Sequence, residues 1–129
     1  MTPYDDQHYQ PPAPVALLTL RTLDDLNVSI SNVLALVDTG ADVTLLPRWA
    51  VEQLGLTPHT DDGVQLAWFD GSIRSAESVE LVASFHCGRF QGRYAVIDQP
   101  HGVVGRNILN HFRLFFDGPA KTWQRVTTG

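Results

Sequence analysis

The sequence predicts an all-β fold with one or two short helices and a prominent hairpin. Three observations carry this. From Val15 onwards the chain is a series of short apolar runs broken by turn residues. Two alternating stretches, Val64, Leu66 and Trp68, then Val79, Leu81, Ala83 and Phe85, flank Phe69-Asp70-Gly71-Ser72. An Asp-Gly between two such runs is a strong hairpin signal. Helical spacing is confined to two brief stretches, 47–55 and 105–112.

The elements follow in order. Residues 1–14, MTPYDDQHYQPPAP, are polar and proline-rich with no apolar period, which predicts a flexible or extended arm. Residues 15–129 form one domain, with no internal repeat and no linker. Val15–Arg21 is the first strand and Leu23–Asn27 its turn. Val28–Ile30 and Val33–Val37 follow, separated by Ser31-Asn32. Val33–Val37 is continuously apolar, as in a strand buried on both faces. Pro47 suits the first position of a helix whose inward residues are Trp49, Val51 and Leu54 and whose end is Gly55. Beyond the hairpin, Phe90–Ile97 adds a strand. Gly105–Phe112 reads as a second helix with Ile108, Leu109 and Phe112 inward. Leu114–Phe116 and Thr122–Val126 close the chain as a small hairpin around Asp117-Gly118-Pro119.

At 129 residues, folding buries roughly two-thirds of the surface that an unfolded chain exposes, enough for one core. Hydrophobic residues at 43% and charged residues at 18% argue against a disordered chain. A net charge of −5, with nine lysines and arginines scattered along the sequence, gives no footprint for nucleic acid. No apolar run reaches the roughly 18–20 residues that span a bilayer, and the N-terminus lacks the pattern of a secretory signal. A cytoplasmic protein without nucleic-acid or membrane partners is the expectation. Cys87 is the sole cysteine, which precludes an intrachain disulfide and fits a reducing compartment. Its alternating context predicts a buried, inert thiol. His8, His59, His86, His101 and His111 show no metal-ligand spacing, so no metal is expected.

The segment with the clearest chemistry is Leu36-Val37-Asp38-Thr39-Gly40-Ala41-Asp42-Val43-Thr44. An aspartate ending an apolar strand faces a desolvation cost unless something compensates it. Thr39 can hydrogen-bond across to a partner, and Gly40 lets a backbone N–H approach the carboxylate. The tripeptide alone favours the plainer reading, a turn aspartate after a buried strand. Downstream stands Val103-Val104-Gly105-Arg106-Asn107-Ile108-Leu109, an apolar pair and a glycine before Arg-Asn opens a helix.

These two motifs, in this order and with a hairpin between them, resemble the retropepsins, the single-domain aspartic peptidases that include retroviral proteases and cellular and bacterial relatives. The resemblance covers about residues 15–117 and implies a closed β-barrel or sandwich. By matching position it makes Asp38 the catalytic aspartate, with Thr39 bonding across subunits beneath the carboxylate pair and Gly40 approaching the substrate backbone. Ala41 and Asp42 would contact substrate. Asp42 would also pair with Arg106, and Gly105, Arg106 and Asn107 would form the structural motif. The hairpin, from about Val64 to Val79, would be the flap, with Trp68, Phe69, Asp70 and Gly71 at the substrate. Retroviral flaps are richer in glycine than this tip, which has only Gly71. Trp68 or Phe69 either covers bound peptide or packs on the chain's own core.

Peptide hydrolysis in this class uses two carboxylates flanking one water, with no metal or cofactor. This chain has a single Asp-Thr-Gly; Asp70-Gly71 and Asp117-Gly118 lack the threonine. The implied assembly is therefore a homodimer in which each subunit supplies one aspartate to a polypeptide substrate. The alternative is a retropepsin-like dimerisation or peptide-binding module with little turnover. An unrelated all-β binding protein is the third possibility.

Overall fold

The computed structural model describes residues 1–67 and 71–127. Its strands are β1 (Thr2–Pro3), β2 (Val15–Arg21), β3 (Ser29–Val37), β4 (Leu45–Pro47), β5 (His59–Ala67), β6 (Ile73–Phe85), β7 (Gly88–Ile97), β8 (Gly102–Val104), β9 (Leu114–Asp117) and β10 (Thr122–Arg125). The helices are α1 (Arg48–Gln53) and α2 (Arg106–Leu109). One sheet runs β2-β3-β8-β4-β7-β6-β5, and an additional β2–β6 pairing closes six of these strands into a barrel. β5 stands outside the ring, paired only with β6 as a hairpin. No described helix is long and apolar enough to cross a membrane.

Side-chain alternation drives the closure. Along β2, Ala16, Leu18 and Leu20 are buried while Leu17 is exposed and Thr19 and Arg21 lie between, the pattern of a strand with one face to the core. β3 is one strand rather than two. Asn32 takes a left-handed φ of 61°, which asparagine tolerates, and the β2–β3 register shifts between Leu18 and Leu20. Ser31-Asn32 is therefore a bulge inside the strand. Only Val33, Ala35 and Val37 are fully buried; Leu34 and Leu36 are half-exposed, so β3 is not buried on both faces.

Pro47 caps α1 in an extended conformation instead of occupying its first turn. Ala50, Val51 and Leu54 are buried, but Trp49 faces outward and its indole N–H donates to the Pro100 carbonyl at 2.8 Å. Gly55 (φ 78°) ends the helix, with Gly55 N–H to the Glu52 carbonyl and Leu56 N–H to the Val51 carbonyl. That paired closure satisfies two otherwise orphaned carbonyls. The second helix is shorter than its apolar spacing suggests; α2 gives way to turns that carry Phe112 to a half-buried position. The β6–β7 connection places Cys87 in a turn after His86 (φ 53°), so its thiol is exposed, not buried.

At the base of the barrel Trp123 is fully buried, its ring 6.0 Å from Phe85 and nearly parallel to it. Its indole N–H donates to the Val15 carbonyl at 2.9 Å, tying β10 to the start of β2. Truncation of so buried an aromatic costs about 3–5 kcal/mol. β10 also pairs with β9 and with β1, giving a separate three-stranded sheet. Residues 1–14 thus lie folded back along the body. Tyr4 N–H bonds to the Lys121 carbonyl, Asp5 and Ala13 bridge, and the His8 ring meets that of His101 edge-on at 4.6 Å.

Candidate active site

β3 and β8 run parallel, pairing Ala35 with Gly102, Leu36 with Val103 and Val37 with Val104. This pairing brings the two distant motifs side by side, with Asp38 beside Gly105. Asp38 N–H donates to the Val104 carbonyl at 3.1 Å. The chain then turns back at once, because Ala41 N–H donates to the Asp38 carbonyl at 3.2 Å. Inside that turn Gly40 N–H reaches the Asp38 carboxylate at 2.8 Å. A backbone donor to a carboxylate is a charge-assisted bond that fixes its orientation. The Asp38 side chain is half-buried and Thr39 and Gly40 are exposed, so the carboxylate sits at the surface of the single chain.

The second motif braces this turn from below. Arg106 N–H donates to the Ala41 carbonyl, and its guanidinium donates to the Thr39 carbonyl, both at 2.8 Å. Gly105 is required at its position: an added Cβ would lie 2.4 Å from the Val43 carbonyl oxygen and 2.9 Å from that of Ala41. A Cβ added at Gly102 would likewise lie 2.7 Å from the Leu45 carbonyl oxygen. Asn107 accepts a hydrogen bond from the fully buried Thr44 hydroxyl at 2.7 Å, and that hydroxyl in turn accepts from Gly105 N–H at 3.0 Å.

The expected Asp42–Arg106 ion pair is not formed. Arg106 spends its guanidinium on the Thr39 carbonyl, and both Asp42 and Arg106 are exposed side chains of the chain. Among the described residues the ion pairs are His8–Asp5, Arg48–Glu77, Arg48–Asp98 and Arg93–Glu80. The structure therefore gathers Asp38, Thr39, Gly40, Ala41, Gly105, Arg106 and Asn107 into one knot, with Asp42 on its solvent side. Gly71 is exposed with φ 85°, in the connection that follows from pairing Ala67 with Ile73. Trp68, Phe69 and Asp70 lie outside the described residues.

Two contributors escaped the sequence. Thr44 left a usable signal, since a hydroxyl inside the apolar run Val43–Leu46 must find a partner when buried. Arg48 left none. Its guanidinium forks onto Glu77 of β6 at 2.7 and 3.2 Å and also reaches Asp98, which ties α1 to the base of the β5–β6 hairpin. These two carboxylates raise the Arg48 pKa still further above its ordinary value, so it is a permanent cation there.

A closed barrel with an Asp-Thr-Gly turn braced by a Gly-Arg-Asn helix start defines a retropepsin-like site. A family model described as aspartyl protease matches residues 24–108, which is 85 of the 129 residues. The chain belongs to that aspartyl protease family. Its fold is also similar to that of the EIAV protease complexed with the inhibitor HBY-793. That likeness has a TM-score of 0.55 at 19% identity and covers 83% of this chain and 91% of the other. No curated protein matches the chain.

Proposed function

We propose that this chain is an aspartic endopeptidase that works as a homodimer, each subunit giving one Asp38 to a shared pair. The observation that carries this is the Asp38 turn itself. It holds a carboxylate rigidly by Gly40 N–H, yet leaves it and the Thr39 side chain facing out of the chain. A surface so closely braced from behind is suited to meet a copy of itself across a two-fold axis. Thr39 then bonds across the interface, and the two carboxylates come close enough to share a proton. In aspartic proteases a carboxylate pair of this kind titrates as a unit.

With the pair assembled, the ionised carboxylate takes a proton from water while its protonated partner polarises the scissile carbonyl. Nothing covalent forms on the enzyme. Gly40 lets substrate backbone approach, Ala41 and Asp42 line its path, and the β5–β6 hairpin covers it, bringing Trp68, Phe69, Asp70 and Gly71 over an extended polypeptide. Gly105, Arg106 and Asn107 hold the turn and do not touch substrate. Because β1 already pairs with β10 of its own chain, the dimer forms around the Asp38 turns rather than by exchange of terminal strands.

The test is cleavage of casein or a peptide library between pH 4 and 7, with and without an active-site inhibitor of aspartic peptidases. Inhibitable cleavage that vanishes in the Asp38→Asn protein is the expected result. Binding of extended peptides with no cleavage under any of these conditions would turn the assignment towards a peptide-binding module.

A further inference from the structure

The nine lysines and arginines look scattered in the sequence, but the fold collects four arginines at the end of the barrel far from Asp38. β2 is antiparallel to β3: Val15 pairs with Leu36 near the catalytic turn, whereas Arg21 pairs with Ser29 at the other end. The β6–β7 turn reaches this same end, because Ser84 pairs with Thr19 on one side and with Arg89 on the other. Thr19, Ser84 and Arg89 therefore make a row across three strands, and Arg21 donates to the Ser84 hydroxyl at 3.0 Å. The stretch after α2 and the end of β10 complete the pole. Arg125 lies 4.9 Å from the Phe112 ring centre and donates to the Cys87 sulfur.

Two open depressions meet at that Arg125–Cys87 contact. One, of about 260 Å³, is lined by Thr19, Arg21, Ser84, His86, Cys87 and Arg89 among others. The second, of about 400 Å³, includes His111, Phe112, Arg113 and Arg125. Among the described residues no aspartate or glutamate lines either one. None of Arg21, Arg89, Arg113 and Arg125 belongs to an ion pair formed among the described residues. The turn beyond Arg21 brings Asp24 and Asp25 to the same end, but among the described residues the four arginines outnumber these carboxylates, so a chain with a net charge of −5 carries a cationic pole there. Opposite potentials of this kind steer and hold partners of the complementary sign.

Guanidinium groups suit carboxylates, which they can bind in a fork. A small anion would remain largely in solvent in depressions this open, whereas binding pockets for small ligands enclose most of the ligand. An extended chain can instead lay successive carboxylates across both depressions, with Phe112 beneath its stems. We propose that this pole docks an acidic polypeptide segment, rich in aspartate or glutamate, at a distance from the Asp38 turn. The surface does not depend on cleavage at Asp38, so the two assignments stand or fall separately.

The test uses the full Asp38→Asn chain, which leaves a peptide probe intact, and fluorescein-labelled hexaglutamate read by anisotropy at low salt. Saturable binding is expected, weakening as salt screens the charges. Arg21→Ser combined with Arg125→Ser should raise Kd by about tenfold or more, with circular dichroism confirming an unchanged fold. Lys121→Asn, a lost cation at the opposite end of β10, should bind as the parent does. Cys87 gives a local readout: saturating hexaglutamate should slow its modification by uncharged N-ethylmaleimide. The proposal is overturned by absent binding, by equal binding in the double variant, or by an unprotected Cys87. Tighter capture of tripolyphosphate or of a single-stranded oligonucleotide would overturn the polypeptide assignment.

Discussion

Thr44 donates its hydroxyl proton to Asn107 at 2.7 Å and receives Gly105 N–H at 3.0 Å, so one buried oxygen joins the two halves of the site. Replacing Thr44 by valine keeps its shape but strands a buried backbone donor. The expected loss is about 1–3 kcal/mol, read from urea unfolding at fixed protein concentration. A Thr44→Ser protein keeps the hydroxyl and should lose less. Equal stability of the valine and wild-type proteins would show that the bond is worth nothing.

Gly105 and Gly118 make a matched pair of tests. A methyl group at Gly105 would overlap the Val43 carbonyl, whereas nothing lies within 4 Å of the position a Cβ would take at Gly118. Gly105→Ala should therefore cost about 3 kcal/mol, at the upper end for overpacking, and should displace the Asp38 turn. Gly118→Ala should melt as the wild type does. Thermal unfolding of both proteins, side by side, checks the contrast.

Arg106 is exposed and holds one carbonyl, so its removal should be mild. Arg106→Ala is expected to lose about 1 kcal/mol, short of the ~3–5 kcal/mol that breaking a buried ion pair costs. Combined with Asp42→Asn in a double-mutant cycle, it should show coupling below about 0.5 kcal/mol. A larger coupling in the assembled protein would mean that the two residues pair after all once the subunits meet.

His86 packs edge-on against Phe85 and Trp123, and burial followed by the nearby Arg125 charge lowers its pKa from the usual 6.5. Folding therefore favours the neutral ring. Its contribution is complete above pH 6.5 and is lost as pH falls through the lowered folded value. The midpoint of urea unfolding should drop over that window, and His86→Gln should flatten the drop. An unchanged pH profile in the variant would remove His86 from the account.

If the proposed shared site is correct, Asp38→Asn should reduce turnover by at least ~10³. Mixed in equal amount with a fixed quantity of wild type and allowed to exchange, the variant should halve total activity. Random pairing leaves about a quarter of all dimers with two wild-type subunits, half as many as before. Unchanged activity after verified exchange would mean that each chain carries a complete site.

How far the sequence reveals this molecule depends on the range of the forces involved. β2 was legible to the residue, because alternation of Ala16, Leu18 and Leu20 is a local signal. β8 was not, since three residues are too few to show any period and it exists only by pairing with β3 and β4. Asn32 looked like a break because its local preference is for a turn; the surrounding strands absorb it as a bulge. Spacing alone puts Trp49 and Cys87 inward, but a carbonyl for the indole and a tight turn for the thiol set them outside. The motif residues were legible one by one. Which partner Arg106 holds was not, because a guanidinium has several acceptors within reach and only the folded backbone selects among them.

The register of β3 against β8 also bears on how the protein is made. Asp38 takes its backbone partner from Val104, and Trp123 reaches Val15, so chain made early waits for chain made late. Contacts of such long sequence separation form slowly and only after their loop-closure entropy has been met. On the ribosome, the Asp38 turn must stay unassembled until residues well past Val104 have emerged. A nascent chain therefore cannot hold the Asp38 turn in its folded form while β8 and the Gly105 motif are still inside the ribosome.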